Sequence, residues 1–335
     1  MSCRDAYDRP IQYLRVSVTD RCNLRCVYCM PEEGVQPLAH QDILSYEEIA
    51  RVVRVAVDIG FAHIRLTGGE PLVRQGIVDL VAELAGIPGL DDLSMTTNGV
   101  LLSRYAGPLA RAGLRRVNIS LDSLRPERFR QLTRWGRLED VLDGRRAALD
   151  AGLRPVKINT VVVGGVNDDE VVDLARLTLQ PDWHVRFIEV MPLGAAAHPH
   201  EEGGSGWSDH GVIPAAEIRA HIEAALGALT PAQGEGAGPA RYYRLPGAAG
   251  TIGFISPVTE HFCPFCNRLR LTSDGRLLPC LLSDQAIDLR ALLRAGADDE
   301  QIRQLFQQAV IAKPRRHHLA DQSMPVGLPM SQIGG

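Results

Sequence analysis

The chain has 335 residues, with 36 Lys and Arg against 40 Asp and Glu, so its formal net charge is −4. A protein that binds nucleic acid over its whole surface is usually clearly basic, and this balance argues against that class. Hydrophobic residues make up 45% and charged residues 23%, which is typical of a globular chain with two domains, or one large α/β domain with an appendage.

The N-terminus and the cysteines indicate where such a chain works. No apolar run reaches the roughly 18 residues that span a membrane, and MSCRDAYDRP lacks the apolar stretch of a secretory signal. Six of the seven Cys fall in two tight groups, which in a reducing compartment indicate metal or redox sites. We therefore expect a cytoplasmic protein without membrane contact, in which the isolated Cys3 has no role.

Strand-like and helix-like segments alternate over the first 190 residues. The capping box Ser45-Tyr-Glu-Glu48 predicts the start of a helix, because its side chains can satisfy free backbone N–H groups. Repeated β–α units predict parallel strands joined by right-handed crossovers. Strands are predicted at 13–18, 63–67, 93–97, 116–121, 155–163 and 183–190, and further helices at 101–112, 138–151 and 169–178.

Polar and apolar residues alternate within these strands, although a parallel strand covered on both faces should be apolar throughout. The alternation predicts a curved sheet with helices outside and a concave lumen that holds a ligand. An incomplete (β/α)₆ barrel and an open doubly wound sheet both suit six units. The sixth strand fits less well, since Ile188 and Val190 follow Arg186 on its face. The polar face of the first five strands carries Tyr13, Arg15, Ser17, Arg65, Thr67, Ser94, Thr96, Asn98, Asn118, Ser120, Asp122, Lys157 and Asn159.

Two Gly-rich stretches follow the sixth strand. Residues 194–211 predict a flexible loop with solvated His198, His200 and His210, and residues 231–239 predict a second flexible stretch. Two helices and a Pro-rich tail are predicted to close the chain. Short strands are predicted at 240–245, 251–256, 268–272 and 276–278.

Three cysteines follow the first strand in the segment Cys22-Asn-Leu-Arg-Cys26-Val-Tyr-Cys29. Three thiolates on one loop suit three irons of a [4Fe–4S] cluster and leave the fourth iron open for a small molecule. A zinc site remains an alternative, although structural zinc normally takes four protein ligands. The motif resembles that of the radical S-adenosylmethionine (SAM) superfamily, with Tyr28 in its aromatic place.

A second segment fits the same superfamily. Thr67-Gly-Gly-Glu-Pro71 ends the second strand, one β–α unit after the cysteines. In the superfamily this segment lies against the methionine moiety of SAM. Glycines permit close backbone approach, and a carboxylate can accept from the SAM ammonium group.

The second cysteine group is Cys263-Pro-Phe-Cys266 followed by Cys280. Again three thiolates have no obvious fourth partner, which favours an iron–sulfur cluster with an open iron. A zinc knuckle that borrows His261 is the alternative. His317 and His318, after Lys313-Pro-Arg-Arg, are predicted to be solvated.

With both groups present, the chain is similar over nearly its whole length to the GTP 3′,8-cyclase family of molybdenum cofactor biosynthesis. The resemblance implies two [4Fe–4S] clusters, SAM, and an incomplete (β/α)₆ barrel closed by a C-terminal α+β segment that carries the second cluster. It suggests a division into 1–193, 194–239 and 240–335. The 194–211 loop is longer and poorer in Asn than we expect of the family. The similarity rests on RVSVTDRCNLRCVYCMP, RLTGGEPLVR, TTNG, NISLDSL, VKINTVV, RFIEVMPLG, FCPFCNRLRLTSDGRLLPCL and the terminal Gly-Gly.

The resemblance also implies a role for individual residues. It places Gly334 and Gly335 in the active site, where only residues without side chains would fit. Cys22, Cys26 and Cys29 would hold the SAM cluster, and Cys263, Cys266 and Cys280 the substrate-side cluster. Positions lining SAM are Tyr28, Gly69, Glu70, Ser120 and Met191. Positions around GTP are Arg15, Arg65, Thr96, Lys157, Arg186, Arg268, Leu269 and Arg270.

The implied reaction begins when a reduced cluster gives an electron to SAM and a 5′-deoxyadenosyl radical forms. That radical takes the C3′ hydrogen of GTP, and the resulting ribose radical attacks C8 of guanine. One further reduction then gives 3′,8-cyclo-7,8-dihydro-GTP. The implied partners are GTP, an electron donor, a downstream cyclic pyranopterin monophosphate synthase and a second copy in a homodimer. Two alternatives stay open: a peptide-modifying radical SAM enzyme with an auxiliary cluster, and a non-catalytic metal-binding module for nucleic acid.

Overall fold

A computed structural model describes residues 3–191, 211–283, 285–317 and 330–334, and across them twelve strands form one sheet. The strands are β1 (Tyr13–Ser17), β2 (His63–Thr67), β3 (Asp92–Thr97), β4 (Arg116–Ser120), β5 (Lys157–Val162), β6 (His184–Glu189), β7 (Thr230–Ala232), β8 (Arg241–Arg244), β9 (Thr251–Ile255), β10 (Arg268–Leu271), β11 (Arg276–Leu278) and β12 (Ile287–Asp288). The α-helices are α1 (Tyr46–Asp58), α2 (Ile77–Ala85), α3 (Leu102–Arg111), α4 (Pro126–Thr133), α5 (Leu138–Asp150), α6 (Val171–Arg176), α7 (Ala215–Leu226), α8 (Leu289–Arg294), α9 (Asp299–Ile311) and α10 (Met330–Ile333).

Eight neighbouring strands of this sheet are parallel. Strands β1 to β6 lie side by side in chain order. Strand β10 pairs in parallel with the outer edge of β1, and β9 does the same at β6. Antiparallel strands then extend the two ends, β11 and β12 beyond β10, and β8 and β7 beyond β9. The predicted incomplete (β/α)₆ barrel is confirmed, and the C-terminal part of the chain adds strands to both of its edges.

The two faces of the sheet have opposite character. Leu14, Val16, Ile64 and Leu66 are fully buried on the face that joins the hydrophobic core. Their neighbours Arg15, Thr67, Thr96, Ser120 and Asn159 line one cavity on the other face. The polar lumen predicted from strand alternation is therefore confirmed. It also extends over the sixth strand, where Arg186, Ile188 and Val190 line the same cavity.

The helices form where local signals and the core agree. In α1 the capping box is present, with Ser45 Oγ accepting from Glu48 N at 3.2 Å and Glu48 Oε2 accepting from Ser45 N at 2.7 Å. Its apolar stripe, including Ile49, Val52 and Val53, is fully buried. Helix α2 was missed by the sequence analysis, because it follows Gly76 and has no side chain that caps its N-terminus. Helix α4 and the short strands β7 and β12 were also missed.

The division at residues 193/194 and 239/240 remains a prediction, since strands from the second and third parts pair within the same sheet. Most of the predicted loop at 194–211, with its three His residues, lies outside the described residues. No helix in the described part of the chain is long and apolar enough to cross a membrane.

Candidate active site

One cavity of about 330 Å³ runs through the barrel and touches both cysteine groups. All six grouped cysteines line it, and so do all the other described residues of the predicted site except Lys157 and Leu269. Gly335 lies outside the described residues. The two groups sit at opposite ends, because Cys22 follows the carboxyl end of β1 while Cys266 precedes the amino end of β10, which is parallel to β1.

The first cysteine group is held by backbone hydrogen bonds. Cys29 N and Met30 N both donate to Cys26 O, at 2.9 and 3.1 Å, so that the loop turns tightly between the second and third thiols. Arg25 N and Val27 N donate to carbonyls at the end of α4, which fixes the loop against the barrel. Burial raises the pKa of Cys22 to about 11 and that of Cys29 to about 12. These thiols ionise when a metal binds them and compensates the charge.

The glycines of the second motif allow a close contact with the protein's own backbone, in addition to the predicted contact with SAM. A Cβ at Gly69 would lie 2.4 Å from Arg21 O, and a Cβ at Gly68 would lie 2.6 Å from Thr19 O. Gly69 N donates to Thr19 O and Glu70 N to Arg21 O, at 2.7 and 2.8 Å. The absence of side chains therefore lets this turn pack directly on the backbone that leads into the first cysteine group.

Glu70 is 1% exposed and its carboxylate is already well supplied with donors. Leu72 N, Thr97 Oγ1 and Asn98 N donate to it at 3.1, 2.7 and 2.6 Å. Burial raises the pKa of Glu70 to about 7 in spite of these hydrogen bonds. Glu70 thus ties the end of β3 to the Gly-Gly turn, and the three donors leave its carboxylate only about one of roughly four acceptor sites for a hydrogen bond from a ligand.

Tyr28 has a partner that the sequence analysis did not include in the site. Its hydroxyl donates to Asp122 Oδ2 at 2.7 Å, and Asp122 Oδ1 accepts from Val161 N at 2.8 Å. Burial raises the pKa of Asp122 to about 6. Asp122 lies on the predicted polar face, so strand alternation was the signal that could have identified it. Ser120 and Met191 line the same cavity.

A wall of cations lies between the two cysteine groups. Arg15, Arg65, Arg186, Arg268 and Arg270 line the cavity. Arg15 and Arg270 are both buried and lie close enough for their charges to repel each other. Burial, reinforced by Arg268, lowers the pKa of Arg270 to about 10. So many buried guanidinium groups suit a ligand with several negative charges, because an anion compensates the energetic cost of burying them and weakens their mutual repulsion.

Two residues predicted around the substrate lie outside the cavity lining. The Leu269 side chain is fully buried in the core on the opposite face of β10, so that only its main chain is available to a ligand, and its contact with the substrate stays a prediction. Lys157 lies on the polar face, one inward-facing position before Asn159, and donates to Glu235 O. Thr96 lines the cavity as expected.

The second cysteine group is assembled from distant segments. Cys266 N donates to Cys263 O at 3.1 Å, and Leu282 N donates to Cys280 Sγ at 3.4 Å. Lys313 Nζ donates to Arg268 O at 2.7 Å and Pro279 O at 2.8 Å, and thereby links the segments that carry Cys266 and Cys280. Burial opposes ionisation of Cys266, but the cations of Arg268 and Lys313 outweigh it and lower its pKa to about 6.

Residues 313–317 wrap this second group instead of projecting into solvent. Arg9 Nη1 donates to Cys263 O at 2.7 Å and Arg9 Nη2 to Pro314 O at 2.7 Å. His317 is 8% exposed, and its Nε2 lies 2.7 Å from Pro257 O. The prediction that His317 is solvated is therefore wrong, because tertiary packing encloses it. His318 lies outside the described residues. His261 is exposed and lies against the His317 ring, away from the cavity lining.

The C-terminal tail enters the cavity between the two groups. Arg15 Nη2 and Arg270 Nη1 both donate to Gly334 O at 3.0 Å. Gly334 has a φ of 77°, and a Cβ there would lie 2.0 Å from Thr67 Oγ1. A residue with a side chain could not occupy this place, which agrees with the expectation for Gly334.

The donor sets suit clusters of several metal atoms. Each group offers three thiols to the same cavity, and in each group the thiols are near enough to raise one another's pKa. No three or more His, Cys, Asp or Glu side chains within the described ranges are gathered around the position of a single metal ion. Three thiols facing a cavity fit a [4Fe–4S] cluster whose fourth iron stays open toward that cavity.

Comparisons with known proteins match two families to consecutive parts of the chain, and the boundary between the two matches lies before β6. Residues 16–178 match the radical SAM superfamily, and residues 183–319 match the family described as Molybdenum Cofactor Synthesis C. Two relatives named GTP 3′,8-cyclase are each 54% identical to this chain. The relative from Pelotomaculum thermopropionicum aligns over 99% of this chain and 100% of its own length, and that from Heliobacterium modesticaldum over 99% of each.

Solved structures share the fold at low sequence identity. SuiB of Streptococcus suis bound to S-adenosylmethionine superposes with a TM-score of 0.58 at 14% identity, covering 89% of this chain and 69% of that chain. Native anSMEcpe with bound AdoMet gives a TM-score of 0.51 at 13% identity, covering 94% of this chain and 84% of that chain. These similarities support the partial barrel and carry no argument about substrate.

Proposed function

The chain belongs to the GTP 3′,8-cyclase family of radical SAM enzymes, and on that premise we propose how its own residues divide the work of the reaction. The family catalyses the first step of molybdenum cofactor biosynthesis with SAM and two [4Fe–4S] clusters. The observation that carries the proposal is the single cavity, with a cysteine group at each end and cations between them. This arrangement supplies two separate metal sites with one shared space for a polyanion.

The first cysteine group would hold the cluster that binds SAM. Cys22, Cys26 and Cys29, which all line the cavity, would provide three thiolates and leave the fourth iron for SAM. Tyr28, Gly69, Glu70, Ser120 and Met191 would surround SAM. Because Glu70 already accepts three hydrogen bonds, we assign it to positioning the Gly-Gly turn. Asp122 positions Tyr28 through the 2.7 Å hydrogen bond to its hydroxyl.

The second cysteine group would hold the cluster next to the substrate. Cys263, Cys266 and Cys280 provide its thiolates, with Lys313 and Arg9 fixing the segments that carry them. These three cysteines also line the cavity, so a guanine edge bound there would be able to reach the iron that has no cysteine ligand. Arg268, beside Cys266, and the main chain at Leu269 would contact the same ligand.

The substrate GTP would lie along the cationic wall. A triphosphate carries about four negative charges, which suits several fixed guanidinium groups. Arg15, Arg65, Arg186 and Arg270 line the cavity, and Thr96 offers a hydroxyl group near them. Lys157 would bind the far end of the phosphate chain.

When bound, the reduced first cluster and SAM would supply the radical chemistry that removes the C3′ hydrogen of GTP and releases 5′-deoxyadenosine and methionine, and one further electron with a proton would complete the product after the C3′–C8 bond forms. The protein residues hold the ribose at a fixed place and keep water and other hydrogen donors away. Gly334 is held by Arg15 and Arg270 beside the cationic wall, and a side chain at this position would clash with Thr67. Gly335 would continue the tail toward the reacting atoms.

The remaining partners of the reaction are also part of the proposal. A separate electron donor is needed to reduce the first cluster, and a cyclic pyranopterin monophosphate synthase would consume the product. A homodimer is the proposed assembly. The peptide-modifying alternative is disfavoured because the relatives at 54% identity are cyclases, while structural similarity to SuiB is limited to the fold.

Anaerobic reconstitution with iron and sulfide tests the proposal. About eight irons per chain are expected, because each of the two clusters holds four. Release of 5′-deoxyadenosine should depend on GTP, and ATP serves as the nucleotide control. Cys3→Ala should leave both the iron content and the activity unchanged. Zinc in place of iron, or SAM cleavage that is indifferent to GTP, would contradict the proposed function.

Removal of Gly334 and Gly335 tests the tail. We expect cyclisation to be abolished while both clusters remain, because the hydrogen bonds that hold Gly334 come from Arg15 and Arg270 and none comes from a cysteine. Product formation is measured by mass spectrometry and iron by a colorimetric assay. Unchanged turnover would remove the tail from the mechanism.

A further inference from the structure

The carboxylate of Glu189, the last residue of β6, joins three segments of the chain beside the cavity. Glu189 is 1% exposed and lines the cavity. Its Oε1 accepts hydrogen bonds from Ala215 N at 3.0 Å and from the Thr259 hydroxyl, and its Oε2 accepts from Val258 N at 3.1 Å and Thr259 N at 3.0 Å. A buried carboxylate is costly unless hydrogen bonds of this kind compensate its charge. Glu189 is therefore held in one place, and it holds its donors in turn.

One of the segments that Glu189 holds is the start of α7. Ala215 is the first residue of this helix, so its N–H group has no acceptor within the helix. The Glu189 carboxylate supplies that acceptor, and the positive end of the helix dipole favours a negative charge there. The carboxylate therefore fixes α7 against the end of β6.

The other segment leads directly to the second cysteine group. We call residues 256–262, which join β9 to Cys263, the arm. Two main-chain N–H groups of the arm donate to Glu189, and Pro257 O lies 2.7 Å from His317 Nε2. The main chain of His317 in turn hydrogen-bonds to the Cys263 thiol. The arm is thus connected to Cys263 both along the chain and through His317.

The carboxyl end of β6 is also where SAM is predicted to bind. Met191, two residues after Glu189, lines the cavity and is one of the positions predicted around SAM. Because β9 is parallel to β6, the arm begins at this same end of the barrel and then runs to Cys263, ahead of the amino end of β10. Glu189 therefore connects the SAM end of the cavity with the segment that carries the second cysteine group.

We propose that Glu189 is a positioning residue for the cyclisation, an inference that rests on the proposed function. Its carboxylate fixes the arm, and through the arm the second cysteine group, relative to the end of β6 that carries Met191. The C3′ hydrogen of a substrate held at the second group must lie within reach of SAM held at the first. A displacement of about 1 Å between reacting groups can cost about a hundredfold in rate, so the hydrogen bonds of this one carboxylate decide whether hydrogen comes from C3′.

The experiment follows the hydrogen atom, with GTP that carries deuterium at C3′. In the proposed reaction this atom passes to 5′-deoxyadenosine, so mass spectrometry of that product measures how well the substrate is placed. In Glu189→Ala the arm and α7 lose their acceptor, and hydrogen comes from other donors near SAM instead. We expect the deuterated fraction of 5′-deoxyadenosine to fall at least about fivefold. A merely unstable enzyme would release less 5′-deoxyadenosine, with an unchanged deuterated fraction.

The iron content of Glu189→Ala should stay at about eight per chain, because two clusters of four irons remain. Arg9 and Lys313 still hold the segments that carry the second cysteine group in this variant. Iron at half the wild-type content would mean that Glu189 is needed to build the second site, which would overturn a role in positioning.

Glu189→Gln separates the arm from α7. The glutamine carbonyl can still accept from Val258 N and Thr259 N, while its NH₂ group turns toward Ala215 N and the Thr259 hydroxyl, which can rotate to accept. The arm thus keeps its acceptor and only the helix loses one. The deuterated fraction should recover most of its wild-type value, although the protein remains less stable than wild type. A fraction as low as that of Glu189→Ala would overturn the inference.

Glu170→Ala is the matched control. Glu170 is also 1% exposed and accepts from Ser123 Oγ at 2.8 Å and Leu124 N at 2.7 Å, but it lies outside the cavity lining and its donors lie outside the arm. Removing its carboxylate should lower the melting temperature and leave the deuterated fraction unchanged. An equal fall in the two alanine variants would show a general loosening of the barrel and overturn the inference.

Glu189→Asp keeps the inference testable if Glu189→Ala does not fold. Its carboxylate is one CH₂ group shorter and draws back from both α7 and the arm, so the deuterated fraction should fall below the wild-type value. An unchanged fraction in Glu189→Asp, or in a folded Glu189→Ala, would overturn the inference while leaving the proposed function intact. A wild-type enzyme that transfers no deuterium from C3′ of GTP would contradict the proposed function itself.

Discussion

The two cysteine groups contain the same three ligands but differ in how the chain builds them. Cys22, Cys26 and Cys29 lie within eight residues on one loop, which local backbone hydrogen bonds shape. The second group joins 263–266 to Cys280, and buried cations from Arg9 and Lys313 hold the segments in place. The first site is therefore a local structure docked on the barrel, whereas the second exists only when distant parts of the chain have packed.

The same difference appears in the electrostatics. Burial raises the thiol pKa values of the first group, to about 11 for Cys22 and about 12 for Cys29. In the second group, burial of Cys266 is outweighed by Arg268 and Lys313, and its pKa is lowered to about 6. Cys266 thus meets an environment opposite to that of Cys22 and Cys29, because Arg268 and Lys313 lie beside it. Burial raises the pKa of its neighbour Cys263, as it does in the first group.

Alkylation of the cluster-free chain should show the largest contrast. At pH 7 a thiol with a pKa of about 6 is mostly thiolate, whereas one with a pKa of about 11 is almost wholly protonated. Iodoacetamide should therefore modify Cys266 more than about a hundredfold faster than Cys22, because the thiolate is the nucleophile. Peptide mass spectrometry over time measures both rates. Lowering the pH to 5 should slow Cys266, as its thiolate takes up a proton. Equal rates at pH 7 would contradict the electrostatic difference.

Lys313→Met should affect the second site alone. The change leaves Arg268 O and Pro279 O without their buried donor and removes a cation near Cys266. We expect the iron content to fall by about half, from two clusters to one, and the free energy of unfolding to fall by about 2–4 kcal/mol. Iron analysis and urea unfolding measure these effects.

Arg303→Met is the control for Lys313→Met, because Arg303 forms an exposed pair with Glu300 at the surface of α9. It should leave iron and stability nearly unchanged. Full iron content in Lys313→Met would show that the second cysteine group forms without its buried clamp.

Glu70→Gln tests the first site with a smaller expected effect. Three donors now point at the carboxylate oxygens of Glu70, namely Thr97 Oγ1, Asn98 N and Leu72 N. A glutamine would place an NH₂ group, itself a donor, opposite at least one of them. The expected loss is about 1–3 kcal/mol in the free energy of unfolding, with weaker binding of SAM. Urea unfolding and SAM titration measure the two effects.

Glu83→Gln serves as the control for Glu70→Gln, since Glu83 is exposed on α2. A loss of SAM binding in Glu70→Gln without any loss of stability would show that Glu70 acts directly on the ligand and not through the turn.

Much of the fold follows from short-range patterns in the sequence. The first six strands lie within two residues of their predicted bounds, because alternation in a parallel strand directly records which face is polar. Spacing within ten residues also identified the first cysteine group. By contrast, helix α2 was not predicted, because its N-terminus carries no capping side chain.

The parts that sequence reasoning missed depend on contacts between distant residues. Lys313-Pro-Arg-Arg looks like a solvated basic run, yet Lys313 is 3% exposed because it satisfies two carbonyls near the second cysteine group. Residues 231–239 look like a linker, yet Glu235 O accepts a hydrogen bond from the buried Lys157 and Gly236 lies against the Arg116 guanidinium. Neither role is visible in local composition.

The sequence by itself determined the two cysteine groups, the polar strand face and the family of this chain, since these are written in spacing and alternation over a few residues. Only the tertiary structure decided that Glu70 supports a turn, that His317 is enclosed, and that the Leu269 side chain faces the core. The reason is physical. Burial and charge at a site are sums over neighbours, and most neighbours of these residues come from parts of the chain far away in sequence.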